Sequence, residues 1–222
     1  MNLKINQLLN IKYPILQGGM AWASDSKLST AVSNAGGAGI IGAGGRDINW
    51  LKTEIRLAKT LTDKPFGVNI ALLSPNHKEL IDVVCSEKVS FVTTGAGNPI
   101  PFIKQFHAFG IKVIPVVPNV KLAQRVAQAG ADAIVIEGME GGGHIGQLTT
   151  MALMSNVLPI IDIPVIVAGG IVDGRGLAAA LIMGASGVQM GSRFLMTHEA
   201  PTHINAKYAI QNAIDTDSIV TA

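Results

Sequence analysis

The 222-residue sequence predicts an α/β protein built as one (β/α)8 TIM barrel. Three observations lead there. Short apolar runs recur eight times, each closed by Gly, Pro or Asn and followed by a segment of helical periodicity, and neighbouring runs begin roughly 20 to 30 residues apart, which fits a βα unit. The runs AGIIGAG, AIVIEG and PVIVAGG lack polar alternation, as strands covered on both faces do. Hydrophobic residues make up 48% of the chain and aromatics only 5%, so Ala, Val, Ile and Leu must fill the interior, which suits helices packed closely on a parallel sheet.

The elements follow in order. YPILQGG supplies the first strand, and SDSKLSTAVSNAGG a helix with Leu28, Ala31, Val32 and Ala35 on one face and Gly36-Gly37 as its stop. AGIIGAG and PFGVNIAL are strands two and three. NHKELIDVVCSEK then reads as a helix capped by Asn76, with Glu79 three residues on. SFVTTGAG and KVIPVV are strands four and five, and KLAQRVAQAG repeats the apolar stripe of a helix before Gly130. AIVIEG, PVIVAGG and GVQMGSRFL bring the strands to eight, which favours a barrel over a six-stranded open sheet. Residues 1–222 form a single domain in this reading. The ending EAPTHINAKYAIQNAIDTDSIVTA offers one helix and a polar tail, enough to close a barrel and too little for a lid.

Charge and composition exclude several function classes. Seventeen Lys and Arg against 15 Asp and Glu leave a net charge of +2 with no basic run, so nothing electrostatic points to nucleic acid or an anionic membrane. No apolar run reaches the ~18 residues of a membrane helix, and MNLKINQLLNIKYP lacks the apolar core of a secretion signal. The single cysteine, Cys85, has no intramolecular disulfide partner and sits at a helix-like apolar position, as a small buried hydrophobe would. A cytoplasmic protein is expected.

A barrel gathers its chemistry at the C-terminal ends of its strands. Gln17-Gly18-Gly19-Met20 ends strand one, Gly42 to Gly45 strand two, and Asn69 lies late in strand three. Thr93-Thr94-Gly95 and Pro115 end strands four and five, and Glu137 to His144 follow strand six. Ala168-Gly169-Gly170 and Gln189-Met190-Gly191-Ser192 end strands seven and eight. A phosphate needs backbone N–H groups that approach without a Cβ in the way, and barrels of this class often hold phosphate at those last two loops. Gly169, Gly170, Gly191 and the Ser192 hydroxyl are the expected donors. Two stretches match the dinucleotide pattern G-x-G-x-x-G. Gly37 to Gly42 leaves a helix and enters a strand, the reverse of what that fingerprint requires, and Gly141 to Gly146 comes several residues after its strand with no acid ending the next one.

In EGMEGGGHIG three consecutive glycines lead to His144. Imidazole, with an ordinary pKa of about 6.5, gives and takes a proton near neutrality, and the barrel position favours that role over a plain surface histidine. His77, His107, His198 and His203 lie in helix-like or terminal polar stretches without ligand spacing. No second His or Cys pairs with His144, and Glu137 and Glu140 do not complete a ligand set, so no metal is expected. No G-x-S-x-G elbow or strand-end lysine offers a nucleophile. The residues therefore read as a phosphate-bearing ligand in a barrel mouth beside one acid–base histidine.

The stretches YPILQGGMAW, KPFGVNIALLSP, VTTGAGNP, EGMEGGGHIGQLTT, IPVIVAGGIVDGRG and GVQMGSRF, in order across nearly the whole chain, resemble the flavin-dependent enoyl-acyl carrier protein reductase II enzymes and their relatives, the nitronate monooxygenases. GGMAW, TTGAGNP and the LTT after the histidine loop are more similar to the reductase branch. The resemblance implies FMN as cofactor. Gly18, Gly19 and Met20 would line its isoalloxazine, Asn69 and Glu137 would bond its ring or ribityl chain, Gln17 and Gln189 would add cofactor contacts, and Gly169, Gly170, Gly191 and Ser192 would hold its phosphate. It further implies reduction of trans-2-enoyl thioesters on acyl carrier protein or CoA, in fatty acid elongation, with NADH or NADPH as reductant and His144 protonating the α-carbon or steadying the enolate. A homodimer is compatible with it. The alternatives are a nitronate monooxygenase, where His144 would assist proton removal and oxygen would reoxidise the flavin, and a flavin-binding barrel without turnover. Three departures stand out: Gly141 replaces a common Ala, Ser192 replaces a usual Thr, and the family continues past the position of Ala222 into a C-terminal lid, so a barrel without that lid is expected.

Overall fold

The computed structural model describes residues 4–220. It is the expected (β/α)8 barrel. Eight parallel strands, β1 (Ile15–Gln17), β2 (Gly39–Gly42), β3 (Phe66–Ala71), β4 (Phe91–Gly95), β5 (Lys112–Val117), β6 (Ile134–Glu137), β7 (Val165–Ala168) and β8 (Gly187–Met190), follow one another in the order β1-β8-β7-β6-β5-β4-β3-β2. Helices alternate with them: α1 (Lys4–Leu9) before β1, then α2 (Ser26–Asn34), α3 (Ile48–Leu61), α4 (His77–Glu87), α5 (Ile100–Ala108), α6 (Val120–Gln128), α7 (Thr150–Val157), α8 (Gly174–Ile182), α9 (Ser192–Leu195) and α10 (Ile204–Asn212). No described helix is long and apolar enough to cross a membrane.

The ring closes between β1 and β2, where pairing thins to a single bridge between Leu16 and Ala38. Gln17 makes good the deficit. Its side chain is fully buried, its Oε1 accepts from Ile40 N–H at 3.0 Å and its Nε2 donates to Ile40 C=O at 3.2 Å. A side-chain amide thus presents to β2 the donor and acceptor that a neighbouring strand backbone would present.

Leu16, Ile40, Phe91, Ile114, Ala133, Val135, Ile166 and Ala168 form one apolar cluster inside the barrel. Phe91 has room because Gly67 faces it: a Cβ there would lie 2.4 Å from the Phe91 ring. Ile5 of α1 joins this cluster and reaches Gly187 at the start of β8, so α1 plugs the N-terminal end. Two further clusters lie between strands and outer helices, one under α3 and α4, the other under α6, α7 and α8. Cys85 is buried in the first of them, where desolvation and then the Asp82 charge push its thiol up to about 11, as an inert core residue.

Two helices differ in detail from the expectation. On α2, Leu28 and Val32 face inward as expected, but Ala35 is exposed and Ser26, Ser29, Thr30 and Ser33 are buried. Their small size lets the helix backbone approach β2 so closely that a Cβ on Gly39 would lie 1.8 Å from Ser29 C=O, and the Ser33 hydroxyl donates to Pro65 C=O at 2.9 Å. Asn76 does precede α4, yet its side chain makes no cap bond; its amide donates instead to Arg46 C=O at 3.0 Å, tying the β3–α4 loop to the β2–α3 loop.

Candidate functional site

The strand ends at the C-terminal face converge on a mouth whose floor lacks side chains. Gly18 follows β1 and its N–H donates to Met190 C=O at 2.8 Å; a Cβ on it would meet the Gln189 side chain at 3.6 Å. Gly19 abuts Asn69, with 2.1 Å between a hypothetical Cβ and Asn69 Cβ. Asn69 is held in turn by Thr93, whose hydroxyl accepts from its Nδ2 at 2.9 Å across neighbouring strands. Met20 faces Gly191, whose Cβ would lie 3.8 Å from its sulfur. Gly18, Gly19, Met20, Asn69, Gln189 and Gly191 are therefore neighbours.

Glu137 ends β6 in register with Ala168 of β7, itself in register with Gln189 of β8. Among the described residues its carboxylate accepts no hydrogen bond, and burial pushes it up to about 7 from an ordinary 4.5. Gln189 Oε1 is buried without a partner as well. Buried polar atoms are rarely left unpaired, so the orphaned Gln189 Oε1, with the half-buried and unbonded Glu137 carboxyl two strands away, marks a place where a ligand can supply the missing bonds. The third feature is backbone. Among the described residues no protein acceptor takes the N–H groups of Gly170, Gly191 or Ser192, and Gly169 and Gly170 adopt φ of +102° and +68°, which only glycine takes without strain. Unpaired N–H groups at the ends of adjacent strands form an anion cradle.

The glycine loop after β6 is fixed at one point. Glu140 has a structural role: it accepts from Thr150 N–H at 2.9 Å and from the Thr150 hydroxyl at 2.9 Å, which anchors the loop to the start of α7. Gly141 lies against Glu137: a Cβ there would come within 2.8 Å of Glu137 Cγ, so glycine at this position leaves that side chain its room. His144 is exposed farther along this loop and bonds to no described residue. Gln17 directs its amide into the seam described above and lies directly before the glycine floor, whereas Ser192 is exposed. His107 pairs with Asp132 at 2.8 Å, just before β6 at the opposite face, and His203 caps α10. Among the described residues no group of three or more His, Cys, Asp or Glu is placed to hold a metal ion.

Sequence reasoning missed Thr93 and Thr150 as supports. Strand pairing sets the Asn69–Thr93 contact and a folded-back loop sets Glu140–Thr150, neither of which leaves a local signature.

A family model described as nitronate monooxygenase matches residues 2–82 and 75–222. The chain belongs to the nitronate monooxygenase family. Its relatives are oxidoreductases by their descriptions. A probable nitronate monooxygenase of Staphylococcus saprophyticus is 36% identical over 271 residues, covering 100% of this chain and 76% of that protein. A (3aS,4S,5R,7aS)-5-hydroxy-7a-methyl-1-oxo-octahydro-1H-indene-4-carboxyl-CoA dehydrogenase of Rhodococcus jostii is 41% identical over 214 residues, covering 96% of this chain but 61% of that protein, so this chain spans about three fifths of that relative's length. Among solved structures, FabK from Thermotoga maritima superposes with a TM-score of 0.97 at 50% identity, covering 100% of this chain and 71% of that one. Nitroalkane oxidase from Streptomyces ansochromogenes gives 0.88 at 27% identity, covering 94% of this chain and 72% of that one.

Proposed function

We propose that this chain carries the active barrel of an FMN-dependent reductase that uses NADH or NADPH to saturate trans-2-enoyl thioesters on acyl carrier protein or coenzyme A. The observation that supports it most is the convergence, at one mouth, of the Gly18–Gly19 floor, the unpartnered Glu137 and Gln189 side chains and the unpaired N–H groups of Gly170, Gly191 and Ser192. A flat, hydrogen-bonding ring with a phosphorylated tail fits that set. FMN would lay its ring along Gly18, Gly19 and Met20, meet Asn69, Glu137 and Gln189 with its polar edge and ribityl chain, and place its phosphate at Gly169, Gly170, Gly191 and Ser192.

FMN held by these residues would supply hydride relay between a nicotinamide and the enoyl β-carbon, with NAD(P)H, a proton and the enoyl thioester giving NAD(P)+ and the saturated thioester overall. The protein contributes the rest. Gly18 and Gly19, without Cβ atoms, would leave room for the flavin ring, Gln17 fixes the strand end that carries them, and Asn69 is oriented by Thr93. His144 delivers the proton to the α-carbon from a loop whose glycines let it close on the substrate. The similarity to FabK supports the reductase, and the relative named as a carboxyl-CoA dehydrogenase supports an acyl thioester as substrate.

A second reading, oxidation of nitronates by oxygen at the same flavin, is favoured by the family model and the staphylococcal relative. Anaerobic mixing of FMN-loaded protein with NADH or NADPH, then with crotonyl-CoA, separates the two. The reductase loses and regains its oxidised flavin absorbance; a flavin left reduced by crotonyl-CoA overturns it. Oxygen uptake with propionate 3-nitronate would then support the second reading, and no turnover with either substrate a flavin-binding barrel alone.

A further inference from the structure

The loops after β1 and β2 meet at a cluster that the flavin site does not use. The Arg46 guanidinium lies 4.1 Å from the ring centroid of Trp22 and 4.3 Å from that of Trp50. Its backbone is fixed on both sides, the N–H donating to Ala43 C=O at 3.1 Å and the C=O accepting from Asn76 at 3.0 Å. Gly45 is required beside it, since its φ is +72° and a Cβ would lie 3.0 Å from the Trp22 indole. Both loops leave the C-terminal ends of their strands, so the cluster stands at the rim of the mouth, two residues beyond Met20.

Nothing in the described protein uses the charge so held. Among the described residues Arg46 makes no salt bridge, and none of the five N–H groups a guanidinium carries donates to a protein acceptor. Its Nε is buried and unpartnered. The neighbouring Asp47 carboxylate is turned to Trp50 N–H, at 2.9 Å, as the cap of α3. Aromatic faces hold an arginine in place while leaving its planar fork open, and that fork matches two oxygens of a phosphate. Trp22 is 62% exposed and presents an apolar face beside it.

We propose that Arg46, positioned by Trp22 and Trp50, is a recognition point for a phosphate ester of the co-substrate that enters the mouth. That phosphate belongs either to the phosphopantetheine arm of the acyl thioester or to the pyridine dinucleotide, and it is separate from the phosphate cradle at β7 and β8. The inference rests on reading the mouth as the place where co-substrate meets flavin.

Trp22 and Trp50 are the only two tryptophans in the chain, so intrinsic tryptophan emission reports on this cluster without turnover. FMN-loaded protein is titrated with coenzyme A against pantetheine, and with NADP+ against nicotinamide riboside. At least one phosphate-bearing compound should change the emission saturably, its phosphate-free counterpart should bind at least about tenfold more weakly, and Arg46→Ala should remove that difference. Which pair responds identifies the source. Arg46→Lys, which keeps the charge but loses the fork, should weaken binding severalfold and stands in if the alanine variant does not fold. No saturable response from coenzyme A or NADP+, equal binding within each pair, or unchanged affinity in the variant that folds would overturn the inference. Saturable, Arg46-dependent binding without enoyl reduction would uphold the cluster while the reductase reading fell.

Discussion

Gly19 and Asn69 touch so closely in the barrel mouth that a single methyl group on Gly19 would fall 2.1 Å from Asn69 Cβ. Asn69 sits mid-strand on β3, bonded to Thr93, and has little freedom to retreat. Gly19→Ala should therefore lower stability by about 1–3 kcal/mol, the usual penalty of overpacking, and turn Asn69 away from the flavin. Thermal melts and FMN titration check it together: a lower Tm with weaker FMN binding is expected, and unchanged values for both would mean that the contact yields freely.

Burial of Glu137 gives the protein a signature in pH. The folded carboxyl titrates near 7 against an ordinary 4.5, so the folded chain keeps this proton where the unfolded chain has lost it. Its contribution is complete below the unfolded value and disappears as pH rises to about 7, at most about 3 kcal/mol in all. Glu137→Gln cannot ionise. In urea unfolding of flavin-free protein the variant should gain on the parent between pH 4.5 and 7 and stay ahead above that window. Parallel pH profiles would show that the carboxylate is solvated.

The Gln17 seam is expected to be structural first. Gln17→Leu keeps the volume but leaves Ile40 N–H and C=O buried without partners, at about 1–3 kcal/mol each. Denaturant unfolding should show a loss of roughly 2–6 kcal/mol, and FMN affinity should fall as the Gly18–Gly19 floor loosens. A variant as stable as the parent would place ring closure elsewhere.

His144→Ala separates proton delivery from cofactor binding. The side chain is exposed and bonded to nothing described, so stability and FMN affinity should change by less than about 0.5 kcal/mol. Flavin reduction by NAD(P)H should persist, while reoxidation by crotonyl-CoA slows by roughly 100-fold or more, the usual scale of general acid catalysis. Unchanged reoxidation would return His144 to a surface role.

The strands were legible because parallel strands covered on both faces must be short apolar runs, and Gly or Pro marks where each one ends. Knowing the barrel also tells which end carries the chemistry, so Gly18, Gly19, Asn69, Glu137, Gln189 and Gly191 could be grouped before their contacts were known. What stayed hidden was side-chain direction. Gln17 turns to Ile40 across the seam, Asn76 to Arg46 across two loops, and Glu140 back to Thr150. The buried face of α2 departs from the apolar periodicity because serine counts as polar there, whereas close helix–strand contact selects it for size.

FMN and riboflavin share a ring and ribityl chain and differ only in the phosphate, so titrating both into flavin-free protein tests the mouth most directly. One FMN per chain is expected, with riboflavin at least about tenfold weaker because the N–H groups of Gly170, Gly191 and Ser192 then stay unpaired. Equal affinity for the two flavins, or no binding of FMN at all, would contradict the account.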